Sequence, residues 1–395
     1  MGRPRFVTAM ALGACICENL DTDAVSADGV TPAWLVYEWF VVEAFVRAEE
    51  SLTEKFGIPG IQKVQRAVRN QRPVSLVSYL KTPTVFGFTG VFRRIARAIG
   101  ILTENGRLDN GGYELLAAWA KDQGLDGIVD SSNGEGHAFR ERLRRAVSQG
   151  MEKGHTTPQA GVFWRELVQR LDPARPGRNE SKALLGRILS KAGPPDMVAC
   201  LNEALVLQNG INNREDEAPF LRKLSGHAPA DLKQLLIAID AYEAFGRAIT
   251  DAFNGLRLCA SSNGGAPVDA KIFSASKSAM KALEALAPSI ARIRAHPTLL
   301  EWESDQTGLV QALERFDGVR SSADLFDAVL NHHEQVQRNK PPNGKRAWFE
   351  RATHGRVMVR AGYSLHELPE SQGSYVHEYR IPTFSGFLAD LGAFR

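Results

Sequence analysis

Between Glu54 and Glu104 the chain carries nine basic side chains and no acidic one: Lys55, Lys63, Arg66, Arg69, Arg72, Lys81, Arg93, Arg94 and Arg97. Removing these nine from the 48 lysines and arginines leaves 39 against 45 acidic residues, so the net charge of +3 comes from this one segment. Clustered cations repel one another until a counter-charge arrives, and the chemistry such a run can do is to neutralise a polyanion. Nucleic acid is the usual one. The alternative is a solvated basic face that pairs with acids elsewhere in the fold.

Groups that could break bonds are sparse. The chain has no G-x-x-x-x-G-K-[ST] phosphate loop and no G-x-G-x-x-G after a strand, which excludes the common nucleotide-driven enzymes. Ser274-Ala-Ser-Lys277 and Ser278-Ala-Met-Lys281 both fit S-x-x-K, but no S-D-N or K-T-G accompanies them, and a Ser/Ala/Lys-rich helix start produces such matches by composition. His332 and His333 are adjacent, so on a helix they point about 100° apart and cannot share a metal unaided. Glu350, His354 and His377 are residue types that could hydrolyse a bond, although no spacing rule unites them. No metal site and no cofactor are expected.

Cys15, Cys17, Cys200 and Cys259 are the only cysteines. Cys15-Ile-Cys17 is one residue tighter than a C-x-x-C pair and has no histidine near it, so small buried hydrophobes are the reading. Leu12-Gly13-Ala14-Cys15 follows Arg3 and Arg5 in the layout of a lipoprotein signal. The apolar run before Cys15 is short, and Thr31-Pro32 leads into another structured helix rather than a polar tether. A reduced, cytoplasmic chain with no membrane span is expected, the apolar stretch Trp34–Phe45 being interrupted by Glu38 and Glu43.

The elements that must position the basic residues follow from hydrophobic spacing. Residues 5–20 and 32–50 read as helices. In Pro59–Arg72 the apolar Ile61, Val64 and Val68 recur at helical spacing, with Lys63, Arg66 and Arg69 largely opposite. A short helix over Val74–Leu80 is followed by the break at Lys81-Thr82-Pro83. Thr89–Ile99 reads as a helix with Val91, Phe92, Ile95 and Ile99 inward and Gly90, Arg93, Arg94 and Arg97 outward. Ile101–Thr103 and Arg107-Leu108 flank a turn at Glu104-Asn105-Gly106 and read as a hairpin. Gly111-Gly112 opens the next helix.

This order, with Ile99-Gly100-Ile101-Leu102 closing the basic helix and Glu104-Asn105-Gly106-Arg107-Leu108 at the hairpin, resembles the winged helix-turn-helix of bacterial transcription regulators. The resemblance covers Pro59–Trp119, about 60 of the 395 residues. It implies that Thr89, Gly90, Arg93, Arg94 and Arg97 lie on the groove-facing side of a recognition helix and that Arg107 sits on the wing beside the phosphate backbone. The turn Lys81–Gly87 is longer than the motif usually has, and proline breaks it.

Further along, helical patterns run from Phe139 to about Ala260, where Asp231–Leu258 is the longest amphipathic stretch. They continue at Ser274–His296, Asp305–Phe316 and Ser322–Arg338. Val357–Val359 and Tyr375–Arg380 read as short strands, and Thr383–Leu391 as a closing helix. Arg338–Arg360 mixes seven basic residues with Trp348 and Phe349 against Glu350 alone, which suits nucleic acid or a protein partner.

The expected fold is mainly α, with N-terminal helices over 1–58, a winged-helix domain over 59–123, a helical domain over 137–340 and a small mixed, basic and aromatic tail over 341–395. The expected function is a non-catalytic DNA-binding subunit beside a partner that carries catalytic or motor activity. Its DNA-binding residues would be Lys63, Arg66, Arg69, Arg72, Lys81, Thr89, Arg93, Arg94, Arg97 and Arg107. In general look, without a motif behind it, the chain resembles accessory proteins of multi-gene bacterial anti-phage systems. The competing expectations are a scaffold whose winged helix docks a protein, and a hydrolase or nuclease built on the C-terminal His/Glu/Arg residues.

Overall fold

A computed structural model describes residues 3–394 other than 19, 21–23, 49–56, 175, 192, 214–215, 297–298, 300–307, 342 and 369–374. Lys55 and the start of the helix expected from Asp305 therefore lie outside the described residues. The fold is mainly helical, and the chain divides into two units, residues 1–212 with 381–395, and residues 213–380.

The first unit contains α1 (Arg5–Cys17), α2 (Ala33–Arg47), α3 (Ile61–Arg69), α4 (Pro83–Phe86), α5 (Phe88–Ala98), α6 (Asn110–Gln123), α7 (Gly134–Lys153), α8 (Gly161–Leu171), α9 (Arg178–Lys191) and α10 (Pro195–Leu207). The C-terminal helix Ile381–Asp390 also belongs to it. α1 and α2 are apolar on nearly every side, which a helix tolerates only when neighbours surround it. They form the centre of one continuous core that takes Phe88 and Phe92 from α5, Trp119 from α6, Phe139 from α7, Trp164 from α8 and Phe387 from the C-terminal helix. Cys15 lies in this core, 3% exposed, and burial pushes its thiol up from the ordinary value.

An ion pair crosses the same core. Arg5 meets Glu180 at 2.8 Å, their side chains 1% and 0% exposed. The Thr8 hydroxyl donates to Glu180 at 2.6 Å, the Gly177 amide donates to it at 3.0 Å, and Arg5 donates to the Arg170 carbonyl at 2.6 Å. The Asp122 carboxylate accepts from the Asn179 and Glu180 amides and so caps the start of α9.

Val74–Leu80, expected as a helix, is a series of turns. Its backbone groups have other partners. The Thr156 hydroxyl accepts from the Val74 amide at 3.0 Å, the Thr156 amide donates to the Val74 carbonyl, and the Ser78 hydroxyl accepts from the Ser75 amide at 2.8 Å. Serine side chains that bond the nearby backbone compete with helix formation. The helix before the basic one is instead the single turn α4, joined to α5 through Gly87 alone.

The second unit contains α11 (Glu217–Ser225), α12 (Ala230–Ser262), α13 (Ala270–Ser274), α14 (Lys277–Arg294), α15 (Leu309–Asp317) and α16 (Ser322–Arg338), then the antiparallel pair β1 (Phe349–Arg351) and β2 (Val357–Val359). α12 and α14 pack along one another around Phe245, Phe273, Leu286 and Phe316. Ser276 caps α14 by accepting from the Ala279 amide, and Ser321 with Asp324 forms a capping box on α16. The strand expected at Tyr375–Arg380 is absent from the described residues. The Val376 and His377 amides donate to the buried Glu243 carboxylate instead of to a neighbouring strand.

His333 is 7% exposed, and its Nε2 accepts from the Trp348 amide at 3.0 Å. Burial holds His332 and His333 each down to about 4, from an ordinary 6.5. The unfolded chain therefore takes up these protons at a pH where the folded chain refuses them. The stability they contribute is complete above about 6.5 and is lost as pH falls toward about 4. Urea unfolding at pH 7.5 and 5.5 should differ by roughly 1 kcal/mol per histidine. His333→Asn should shrink that difference, and an unchanged difference would show that other groups cause it.

Candidate nucleic-acid interface

α3 begins at Gly60, which holds φ 82° against the Tyr79 ring. Val64 and Ala67 are its buried residues, and the helix packs on α2. Lys63, Arg66 and Arg69 point outward and are exposed, as are Arg72 and Lys81 in the connecting segment. Among the described residues, no carboxylate forms an ion pair with Lys63, Arg66, Arg72, Lys81 or Arg94.

α5 carries the remaining basic residues. Phe88, Phe92 and Ala96 face the core, with Ile99 just beyond the helix end, while Val91 and Ile95 are half-buried. The inward face is thus rotated from the expected one: Phe88 and Phe92 meet Phe6 of α1 at ring distances of 4.9 and 5.4 Å, and these larger side chains set the phase. Gly90 is not an outward residue. A Cβ there would stand 2.5 Å from the Thr84 carbonyl, so glycine lets α4 lie directly against α5.

The N-terminus of α5 is held by Glu38, a residue of α2 with 0% exposure. Its carboxylate accepts from the Phe88 amide at 2.9 Å, the Thr89 amide at 2.8 Å and the Tyr79 hydroxyl at 2.7 Å. Two of the free amides at the helix start are thereby satisfied, and the negative charge faces the positive end of the helix dipole. Burial pushes the Glu38 carboxyl up, opposed by the Thr89 amide and the Tyr79 hydroxyl. In the sequence Glu38 stands only as an interruption of an apolar run. A lone acid in a helix buried all round needs donors, and that was the available signal.

On the other side of α5, Arg94 is exposed and Arg93 is half-buried. Arg97 donates to the Glu104 carbonyl and meets its carboxylate at 3.4 Å, tying the helix to the hairpin tip. The hairpin is narrow: one bridge joins Leu102 to Leu108, the Thr103 amide donates to the Arg107 carbonyl, and Gly106 turns the chain at φ 78°. Arg107 is exposed on it. Thr89 sits in the first turn of α5, half-buried, its amide committed to Glu38.

In the second unit His377 pairs through Nδ1 with Glu243 at 2.8 Å, and the Tyr379 hydroxyl donates to the same oxygen at 2.8 Å. Of the three polar residues considered for hydrolysis, His377 and Glu350 thus have separate partners. Glu350 holds Arg360 at 3.0 Å, and His354 occupies the turn between β1 and β2 at φ 59°. Trp348 stacks on Tyr363 at 4.7 Å with Arg257 over its ring at 5.0 Å, and Arg351 pairs with Glu334 at 2.7 Å. Much of the basic and aromatic character of this segment is therefore spent inside the unit. No group of three or more metal-ligating side chains occurs among the described residues, and no helix there is long and apolar enough to cross a membrane.

No protein-family model matches the chain, and neither a curated protein nor a solved structure does.

Proposed function

We propose that the first unit binds duplex DNA through α3, the segment 70–82 and the outer side of α5, acting as a non-catalytic subunit beside a partner that carries the catalytic or motor activity. The observation that carries this reading is the set Lys63, Arg66, Arg72, Lys81 and Arg94, exposed and without a carboxylate partner among the described residues. A phosphate backbone would supply the missing counter-charge and release its own counterions. The order one-turn helix, basic helix, narrow hairpin also supports a winged-helix reading, with Arg94 and Arg107 as backbone contacts and Arg97 bracing the hairpin rather than reading bases.

Fluorescence anisotropy with a labelled duplex tests it. With ~4–6 phosphates neutralised, the log–log slope of the binding constant against salt should be roughly −4 to −5. Arg66→Ala with Arg94→Ala should make the slope shallower by about two phosphate contacts. Binding absent at low salt, or independent of salt, would remove the reading. The second reading, a protein-docking surface, is favoured by Val77, Val85 and Phe86, which are 97%, 56% and 65% exposed in the same stretch of chain.

A further inference from the structure

Arg93 lines a cleft of about 110 Å³ enclosed by α1, the start of α2, α5 and the hairpin tip. Three rings form much of its wall: Trp34, Tyr37 and Phe88. Thr89 and Asn105 add a hydroxyl and an amide. Tyr37 and Phe88 are 3% and 1% exposed, so these walls are fixed by the core behind them. Tyr37 is further held by donating its hydroxyl to the Ala9 carbonyl at 2.8 Å.

The guanidinium is the unbalanced group in this cleft. Arg97, one turn along, is committed to Glu104, whereas Arg93 makes no ion pair and no side-chain hydrogen bond among the described residues. Burial and the neighbouring Arg97 both pull the Arg93 guanidinium below its ordinary value, opposed by Glu104. A half-desolvated cation beside a second cation is stabilised by an anion that can accept its fork of N–H donors.

Size and shape narrow the class. At about 110 Å³ the cleft is of the order of the ~150 Å³ cavity that accepts a benzene ring, and it opens to solvent on one side, so a single small ring with its substituent is the size it can seat. That is well below the ~300 Å³ at which drug-sized sites begin, and too small for a nucleotide. Flat aromatic walls favour a flat body. We propose that this cleft is a binding site for a small planar aromatic carboxylate, its carboxylate on Arg93 and its ring against Trp34 and Phe88. Such a ligand touches both α5 and the hairpin tip, so it would act at the joint between them. The proposal goes beyond the nucleic-acid reading and is tested without nucleic acid.

Benzoate is of the required size and serves as the probe, with the full chain in calorimetric titrations. Saturable 1:1 uptake is expected, weakened about tenfold or more when benzamide replaces benzoate or when Arg93→Gln replaces the wild type. A thermal melt of Arg93→Gln establishes that it folds. The benzoate–benzamide comparison on the wild type stands without any variant. Absence of saturable uptake would overturn the proposal. So would equal uptake of benzamide, or acetate and inorganic phosphate binding as tightly as benzoate.

Discussion

Glu38→Ala is expected to cost about 3–5 kcal/mol of stability, although Glu38 belongs to neither the basic segment nor the cleft. The change removes a fully buried carboxylate and leaves two helix-start amides and the Tyr79 hydroxyl without their acceptor. Each unsatisfied buried group costs ~1–3 kcal/mol, and partial entry of water keeps the total below the simple sum. Tyr79→Phe removes one donor and leaves the carboxylate two others, so about 1 kcal/mol is expected. Urea unfolding of the three proteins gives the comparison. If Glu38→Ala and Tyr79→Phe lose the same small amount, the carboxylate is not the group that holds α5.

A loss of about 3–5 kcal/mol is also expected for Glu180→Ala, for a different reason. Here the substitution strips a guanidinium that is 1% exposed of its carboxylate and leaves the Thr8 hydroxyl and the Gly177 amide without their acceptor. Domains are typically stable by only ~5–15 kcal/mol, so this loss is large enough to populate unfolded chain. The informative partner experiment is the double change Arg5→Met with Glu180→Leu. Replacing both charges by apolar side chains of similar volume removes the desolvation cost along with the attraction, and should recover most of the loss. A double variant as unstable as Glu180→Ala would mean that the bonds to Thr8, Gly177 and Arg170 matter more than the charge pair.

What the sequence made legible was the helix content and the outward placement of Lys63, Arg66 and Arg69, because hydrophobic spacing in α3 fixes which side is buried. The turn at Glu104–Gly106 was legible for a local reason as well, since Gly106 supplies the positive φ that the turn requires. Errors arose where distant partners decide. Val74 is paired with Thr156, 82 residues away, and no window around Val74–Leu80 contains that information. In α5 the period was right and the phase was off, because Phe88 and Phe92 outweigh Val91 and Ile95 once Phe6 is placed beside them. Glu38 reaches groups 41, 50 and 51 residues along, so its role as the anchor of α5 becomes visible only in three dimensions. Arg93 and Arg97 look equivalent in sequence, but one is spent on Glu104 and the other faces a cleft.

The return of the last helix to the first unit has a consequence for synthesis on the ribosome. Residues 213–380 are contiguous, and that unit has all its chain as soon as it leaves the exit tunnel. The first unit does not: Phe387 and Leu391 belong to its core, Ser385 accepts from the Ile211 amide at 3.0 Å, and Asp390 pairs with Arg3 at 3.1 Å. At about 5–20 residues per second, roughly 10–30 s separate the emergence of residue 212 from that of residue 381. During that interval α1 and α2 are out of the tunnel while part of their cover is still being made. The half-finished first unit is therefore the stretch of nascent chain on which a chaperone would act, and emergence of residues 381–390 is the event that lets its core close.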